Sequence, residues 1–186
     1  SAPKVLAALT AIGSGPSDVT RLLLTHAHQD HAGGAAAVAA ATGRTVAVHA
    51  DDAHYARTGT NTPRDSRLGR LLARVDRTPF HAVEVGQELH DGELLPIAGG
   101  LRVIHTPGHS PGSVSFLVQH GTERILFSGD TLFQGGIGRS DLWGGDSAAL
   151  SRSIRDRLYA LEDDLQVIPG HGGRTTIGEE KRSNPF

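Results

Sequence analysis

Within the seven residues Thr25-His26-Ala27-His28-Gln29-Asp30-His31 the chain places three imidazoles and a carboxylate. Alternate residues of an extended segment point the same way, so His26 and His28 can converge on one ion. Asp30 and His31, where a helix is expected to begin, can face a second. A solvated surface cluster is the bland account of such a tract, but a position between a strand and a helix favours a metal site. The 186-residue chain contains no cysteine, so any metal must be held by imidazole and carboxylate.

Three further candidates stand in glycine-rich turns: His109 in Thr106-Pro107-Gly108-His109-Ser110-Pro111-Gly112, Asp130 in Ser128-Gly129-Asp130-Thr131, and His171 in Pro169-Gly170-His171-Gly172-Gly173. Each closes an expected strand, and glycine lets the backbone turn sharply beside an ion. Taken singly, a histidine in such a turn is usually solvated, and an aspartate after glycine usually caps a turn. Together with the first motif they form the rim of loops over one end of a sheet that a metal centre requires.

The elements that must position these side chains follow from periodicity. Residues 3–12 read as a helix, with Val5, Leu6, Leu9 and Ile12 at helical spacing and Gly13, Gly15 and Pro16 as its stop. Residues 19–25 carry Leu22, Leu23 and Leu24, the continuous apolar run of a strand buried on both faces. A small-residue helix over 30–42 closed by Gly43, then a strand over 45–49, complete a strand-loop-helix-strand unit with the histidines where its first strand ends. A short helix is expected over 51–57 and a polar, Arg-rich surface loop over 59–76, with a helical turn at 68–72. Strand rhythm then sets in at 82–85, 94–97, 101–105, 113–118 and 124–127. Helix returns at Asp146, where Leu150, Ile154, Leu158 and Leu161 mark an apolar stripe, followed by a strand over 166–168. With no repeat and no linker, one domain over 1–186 is expected.

Composition narrows the function. The 18 Lys+Arg nearly balance 20 Asp+Glu, and a formal charge of −2 leaves no basic footprint for nucleic acid and no polybasic membrane patch. The apolar stretches at 19–24 and 35–41 are too short to span a bilayer, and no charged-then-apolar leader opens the chain, so a soluble, cytoplasmic protein is expected. The chain has no Met, so Ser1 is not an initiator residue.

The order His-x-His-x-Asp-His, Pro-Gly-His, Gly-Asp-Thr and Pro-Gly-His-Gly resembles the metallo-β-lactamase superfamily over essentially the whole chain. Residues 128–141, Ser-Gly-Asp-Thr-Leu-Phe-Gln-Gly-Gly-Ile-Gly-Arg-Ser-Asp, with the closing Asn184-Pro185-Phe186, are similar to the short glyoxalase II-like hydroxyacylglutathione hydrolases. The resemblance implies an α+β four-layer αββα sandwich. It implies a first metal held by His26, His28 and His109, a second by Asp30, His31 and His171, and Asp130 bridging both. It further implies a binuclear metal-dependent hydrolase that cleaves a small acyl thioester, or a related ester, by a metal-bound hydroxide, with Asp30 also a candidate proton relay. Zinc is the default metal, with iron or manganese compatible with the same donors. Family members carry strands and an Asp-containing turn upstream, so an N-terminal strand segment is expected to be missing before the helix at residue 3. Full-length glyoxalase II enzymes add a helical C-terminal domain that contacts the glutathione moiety; this chain stops short of one, which leaves the thiol open.

The same motifs admit a mononuclear-iron persulfide dioxygenase, a lactonase of the same superfamily, or a non-catalytic metal-binding module. His49 and His105 read as packed histidines or as partners behind the ligands, and His54, His81, His90 and His120 as surface residues. Arg139 and Asp141 are candidates for a substrate loop, although pairing with each other to hold that loop is the preferred reading. Arg64, Arg67, Arg70 and Arg74 read as a solvated basic face.

Overall fold

A computed structural model describes residues 1–60, 80–142 and 144–186, which fall into two compact units, Ser1–Glu88 and Leu89–Phe186. The helical turn expected at 68–72 and Arg64, Arg67, Arg70 and Arg74 lie outside the described residues.

The first unit runs α1 (Ala2–Ala11), a 3-10 turn (Pro16–Asp18), β1 (Leu22–Leu23), α2 (Gln29–Ala32), α3 (Ala35–Thr42), β2 (Val46–His49), α4 (Ala50–Thr58) and β3 (Val85–Leu89). Its sheet has the order β1-β2-β3, with β1 parallel to β2 through Leu22↔Val46 and Leu23↔Ala47. This is the expected strand-helix-strand unit, since a parallel pair needs a crossover helix. The strand expected over 19–25 is shorter and only half-buried, and among the described residues β1 has a sheet neighbour on one side; β2, in the middle, is buried along its whole length. The single helix expected over 30–42 is two, α2 and α3, broken at Gly33-Gly34, and α3 ends on Gly43 in the left-handed region at φ 66°. Ala27, Ala35, Val46, Val48, Ala53, Ala56 and Val83 form the core. The stripe expected on α1 is only partly covered: Leu6 and Leu9 are half-buried, whereas Val5 is 46% and Ile12 75% exposed. Ala2 at the start of α1 is buried as well, its backbone 3.0 Å from where a Gly34 Cβ would stand.

The second unit comprises β4 (Leu94–Leu95), β5 (Leu101–His105), β6 (Val114–His120), β7 (Glu123–Gly129), the hairpin β8 (Leu132–Phe133) and β9 (Gly136–Ile137), α5 (Ser147–Arg152), a π-helical stretch (Ser153–Leu158), β10 (Gln166–Pro169), β11 (Thr175–Thr176) and α6 (Ile177–Ser183). Its six-stranded sheet has the order β11-β10-β7-β6-β5-β4, an antiparallel meander over β5, β6 and β7 with β10 added parallel to β7 after the α5 crossover. Asp146 caps α5 by accepting from Ala149 N–H at 2.9 Å, and the expected stripe of Leu150, Ile154 and Leu158 packs on Ile104, Leu117, Leu126, Leu132 and Val167. The strand expected over 82–85 is displaced to β3, since Val83 N–H bonds to Ala56 O beside α4 rather than to a strand. Helix α6 was not expected from periodicity, although Thr176 and Glu179 form a capping box at its start. Among the described residues no helix is long and apolar enough to cross a membrane.

Candidate metal centre

In the first unit the chain leaves β1 extended, with Leu24 N–H on Ala47 O at 3.0 Å, and reaches His28, the residue before α2, still extended at φ −72° and ψ 155°. The rings of His26 and His28 stand perpendicular with centroids 4.8 Å apart, and His26 and His31 lie 4.1 Å apart. Asp30 Oδ2 is 3.7 Å from His31 Nε2. Histidines 26 and 28 are buried, His31 is half-buried and Asp30 is exposed. The segment is anchored from α4: buried Asp52 accepts the N–H of Ala27, the residue between the two histidines, at 2.9 Å. Asp52 was not among the candidates read from sequence, because an acid in the first turn of a helix is the ordinary complement to the helix dipole and carries no mark of a second task.

In the second unit the turns that follow β5, β7 and β10 bring His109, Asp130 and His171 together. Asp130 Oδ2 is 3.7 Å from His109 Nε2 and 3.4 Å from His171 Nε2. Thr106 and Thr131 hydroxyls bond at 2.9 Å, tying the His109 turn to the Asp130 turn, and Gly170 N–H bonds to Gly129 O at 2.9 Å, tying the His171 turn to the end of β7. Bonds of about 2.1 Å to a tetrahedral ion separate neighbouring donors by about 3.4 Å. The observed spacings therefore suit side chains that share ions, and one oxygen of Asp130 sits close to both imidazoles. The donor set of imidazole and carboxylate fits zinc, iron or manganese.

The backbone decides which nitrogen of His109 faces Asp130. Nδ1 lies 2.7 Å from Arg139 O, and a carbonyl can only accept, so Nδ1 carries a proton and Nε2 is the nitrogen turned toward Asp130. Gly138 makes this contact geometrically feasible: a Cβ there would stand 1.8 Å from Asp130 O and 3.3 Å from His109 Nδ1. The glycine-rich stretch signalled close approach without saying to what.

Arg139 and Asp141 pair in a bidentate manner, Nε to Oδ1 and Nη2 to Oδ2, both at 2.8 Å, on an exposed loop. The hydrogen bond from Arg139 holds the Asp141 carboxyl down at about 2. Buried His49 accepts Asp51 N–H at 3.3 Å, and His105 Nε2 lies 2.9 Å from Pro111 O. Behind His105, Asp91 accepts its backbone N–H and the Arg157 guanidinium; burial alone would raise the Asp91 carboxyl, and these bonds bring it below its ordinary value. His54, His81, His90 and His120 are exposed, as expected.

Comparison with known proteins accords with this picture. The chain is 39% identical over 172 residues to hydroxyacylglutathione hydrolase GloC of Haemophilus influenzae, covering 89% of this chain and 74% of that protein. The crystal structure of the BLEG-1 B3 metallo-β-lactamase superposes with a TM-score of 0.82 at 37% identity, covering 100% of this chain and 83% of that one. A structure solved in a di-iron-bound form superposes with a TM-score of 0.74 at 36% identity, covering 98% and 83%. The fold is thus the α+β metallo-β-lactamase fold. Residues 1–171 match the metallo-beta-lactamase superfamily model, and the chain belongs to that superfamily of metal-dependent proteins.

Proposed function

We propose that residues 1–186 act as one metallo-β-lactamase-like domain, a cytoplasmic binuclear hydrolase of small acyl thioesters or related esters, with zinc in both sites. In this reading His26, His28 and His109 hold one ion, Asp30, His31 and His171 the other, and Asp130 spans both. The observation that carries it is the pair of spacings from one Asp130 oxygen, 3.7 Å to His109 and 3.4 Å to His171, two histidines that the reading assigns to different ions. The named relative GloC supports thioester chemistry for the substrate.

Two divalent ions in such a site supply a water acidified toward neutrality and an electrophile for the carbonyl. The protein's own contribution is placement. Arg139 O holds His109 in one tautomer, and Asp52 holds the backbone between His26 and His28. Asp30 is exposed beside His31, so its carboxylate can pass a proton between the site and solvent. No side-chain nucleophile is required in this reading, since the acidified water is the attacking group.

The test is metal analysis of the purified protein beside hydrolysis of S-lactoylglutathione and a second acyl thiol. Two zinc-like ions per chain with thioester turnover supports the reading. One iron per chain, with oxygen uptake on a persulfide and no thioester cleavage, refutes it.

A further inference from the structure

The closing segment of the chain supplies no ligand, yet it grips a loop that does. Glu180 on α6 is 2% exposed, and its carboxylate accepts only neutral donors among the bonds the structure shows: the Thr175 hydroxyl at 2.5 Å, Gly135 N–H at 2.9 Å and the Asn184 amide at 2.7 Å. The Asn184 amide also donates to Gly136 O at 3.0 Å and reaches Phe133 O at 3.5 Å. Two side chains thus hold three backbone groups around the turn between β8 and β9.

That hairpin begins at one candidate ligand and ends at a backbone group that contacts another. Asp130 stands on its way in; Gly138 and Arg139, whose carbonyl orients His109, stand on its way out. The ring of Phe133 at the turn meets the ring of His171 edge-on, with centroids 5.9 Å apart. The ladder itself is two residue pairs, Leu132↔Ile137 and Phe133↔Gly136, and a hairpin of that length is not stable on its own. A buried carboxylate also costs desolvation, which its hydrogen bonds must offset.

We propose that Glu180 and Asn184 are positioning residues: by fixing the β8–β9 hairpin they fix Asp130 and the carbonyl that sets the His109 tautomer. The inference rests on the reading of His109, Asp130 and His171 as metal ligands.

The experiment compares wild type, Asn184→Ala, Glu180→Ala and Glu180→Gln as full chains. Zinc affinity is read by competition with a chromophoric chelator, hydrogen exchange reports the Gly135 amide, and melting of the metal-free proteins reports stability. Asn184→Ala and Glu180→Ala should weaken zinc binding about 10- to 100-fold, the usual cost of losing a partner behind the ligands, and should speed Gly135 exchange. Glu180→Gln keeps an oxygen for Gly135 and Asn184 and offers its amide to the Thr175 hydroxyl, so it should bind zinc close to wild type. If Asn184→Ala and Glu180→Ala melt earlier yet bind zinc as wild type does, the residues only hold α6 in place and the proposal fails. Loss of zinc in Glu180→Gln equal to that in Glu180→Ala also overturns it, since hydrogen bonding would then not be the cause. Wild type that binds neither zinc nor iron would sink the metal reading itself, a result distinct from unchanged variants.

Discussion

Replacing Gly138 by alanine adds one methyl group at the point where the hairpin returns to the ligands. The new Cβ would stand 1.8 Å from Asp130 O, against the 3.4 Å at which ordinary contact begins, so the strands must part by roughly 1.5 Å. Both ways of yielding harm the site. Moving residue 138 outward carries Arg139 O with it and breaks the 2.7 Å bond that holds the His109 tautomer; moving residue 130 displaces the carboxylate between His109 and His171. A displacement of about 1 Å at a reacting centre costs on the order of 100-fold in rate, and loss of the partner behind a ligating histidine about 10- to 100-fold in metal affinity. Gly138→Ala should therefore weaken zinc binding by about 1.4 to 2.7 kcal/mol. Chelator competition gives the affinity, and ring-nitrogen NMR shifts of His109 give the tautomer. A Gly138→Ala protein that keeps wild-type zinc affinity with the proton still on Nδ1 would refute the close-approach argument.

Other outcomes follow from the same geometry. Asp52→Ala should cost about 1–3 kcal/mol of stability, read by urea denaturation, because a buried N–H between His26 and His28 loses its acceptor, whereas Asp52→Asn keeps an oxygen there and should lie near wild type; equal losses in both would exclude the Ala27 bond as the cause. Carboxyl-carbon NMR should show Asp141 titrating near 2 and returning toward its ordinary 3.8 in Arg139→Ala. Because the folded value is depressed, the pair's stabilisation is present above about 3.8 and is lost as pH falls toward 2; an unchanged Asp141 midpoint in the variant would discard the pairing. Stripping metal from protein held at a thousandfold excess of free zinc over Kd should remove about 4.1 kcal/mol, lowering the melting temperature by about 10 °C, reversibly on zinc addition. A melt indifferent to chelator would count against ions bound to the folded state.

Much of the scaffold was legible in local pattern. Period and turn chemistry marked the strand-helix-strand unit, the separate strands that become β5, β6 and β7, the apolar stripe of Leu150, Ile154 and Leu158, and Gly43 as the close of α3. Boundaries were less legible: the run around Leu22 promised a fully buried strand, and only sheet order shows β1 paired on one side among the described residues. The break at Gly33-Gly34 and the short hairpin at 132–137 fall below the length at which periodicity speaks.

The candidate ligands announced themselves because metal donors are few in kind and their spacing along a strand end is itself the geometry. What supports them did not. Asp52 meets Ala27 across 25 residues, Arg139 O meets His109 across 30, and Glu180 meets Gly135 across 45. Each of these residues has an ordinary local reading, as a helix acid, a loop arginine or a helix glutamate. The sequence by itself determined the chemistry available: imidazole and carboxylate, no thiolate, on turns rich in glycine. Only the tertiary structure decided which backbone groups orient those side chains, since a hydrogen bond between distant segments depends on how loops meet, and no periodicity encodes that meeting.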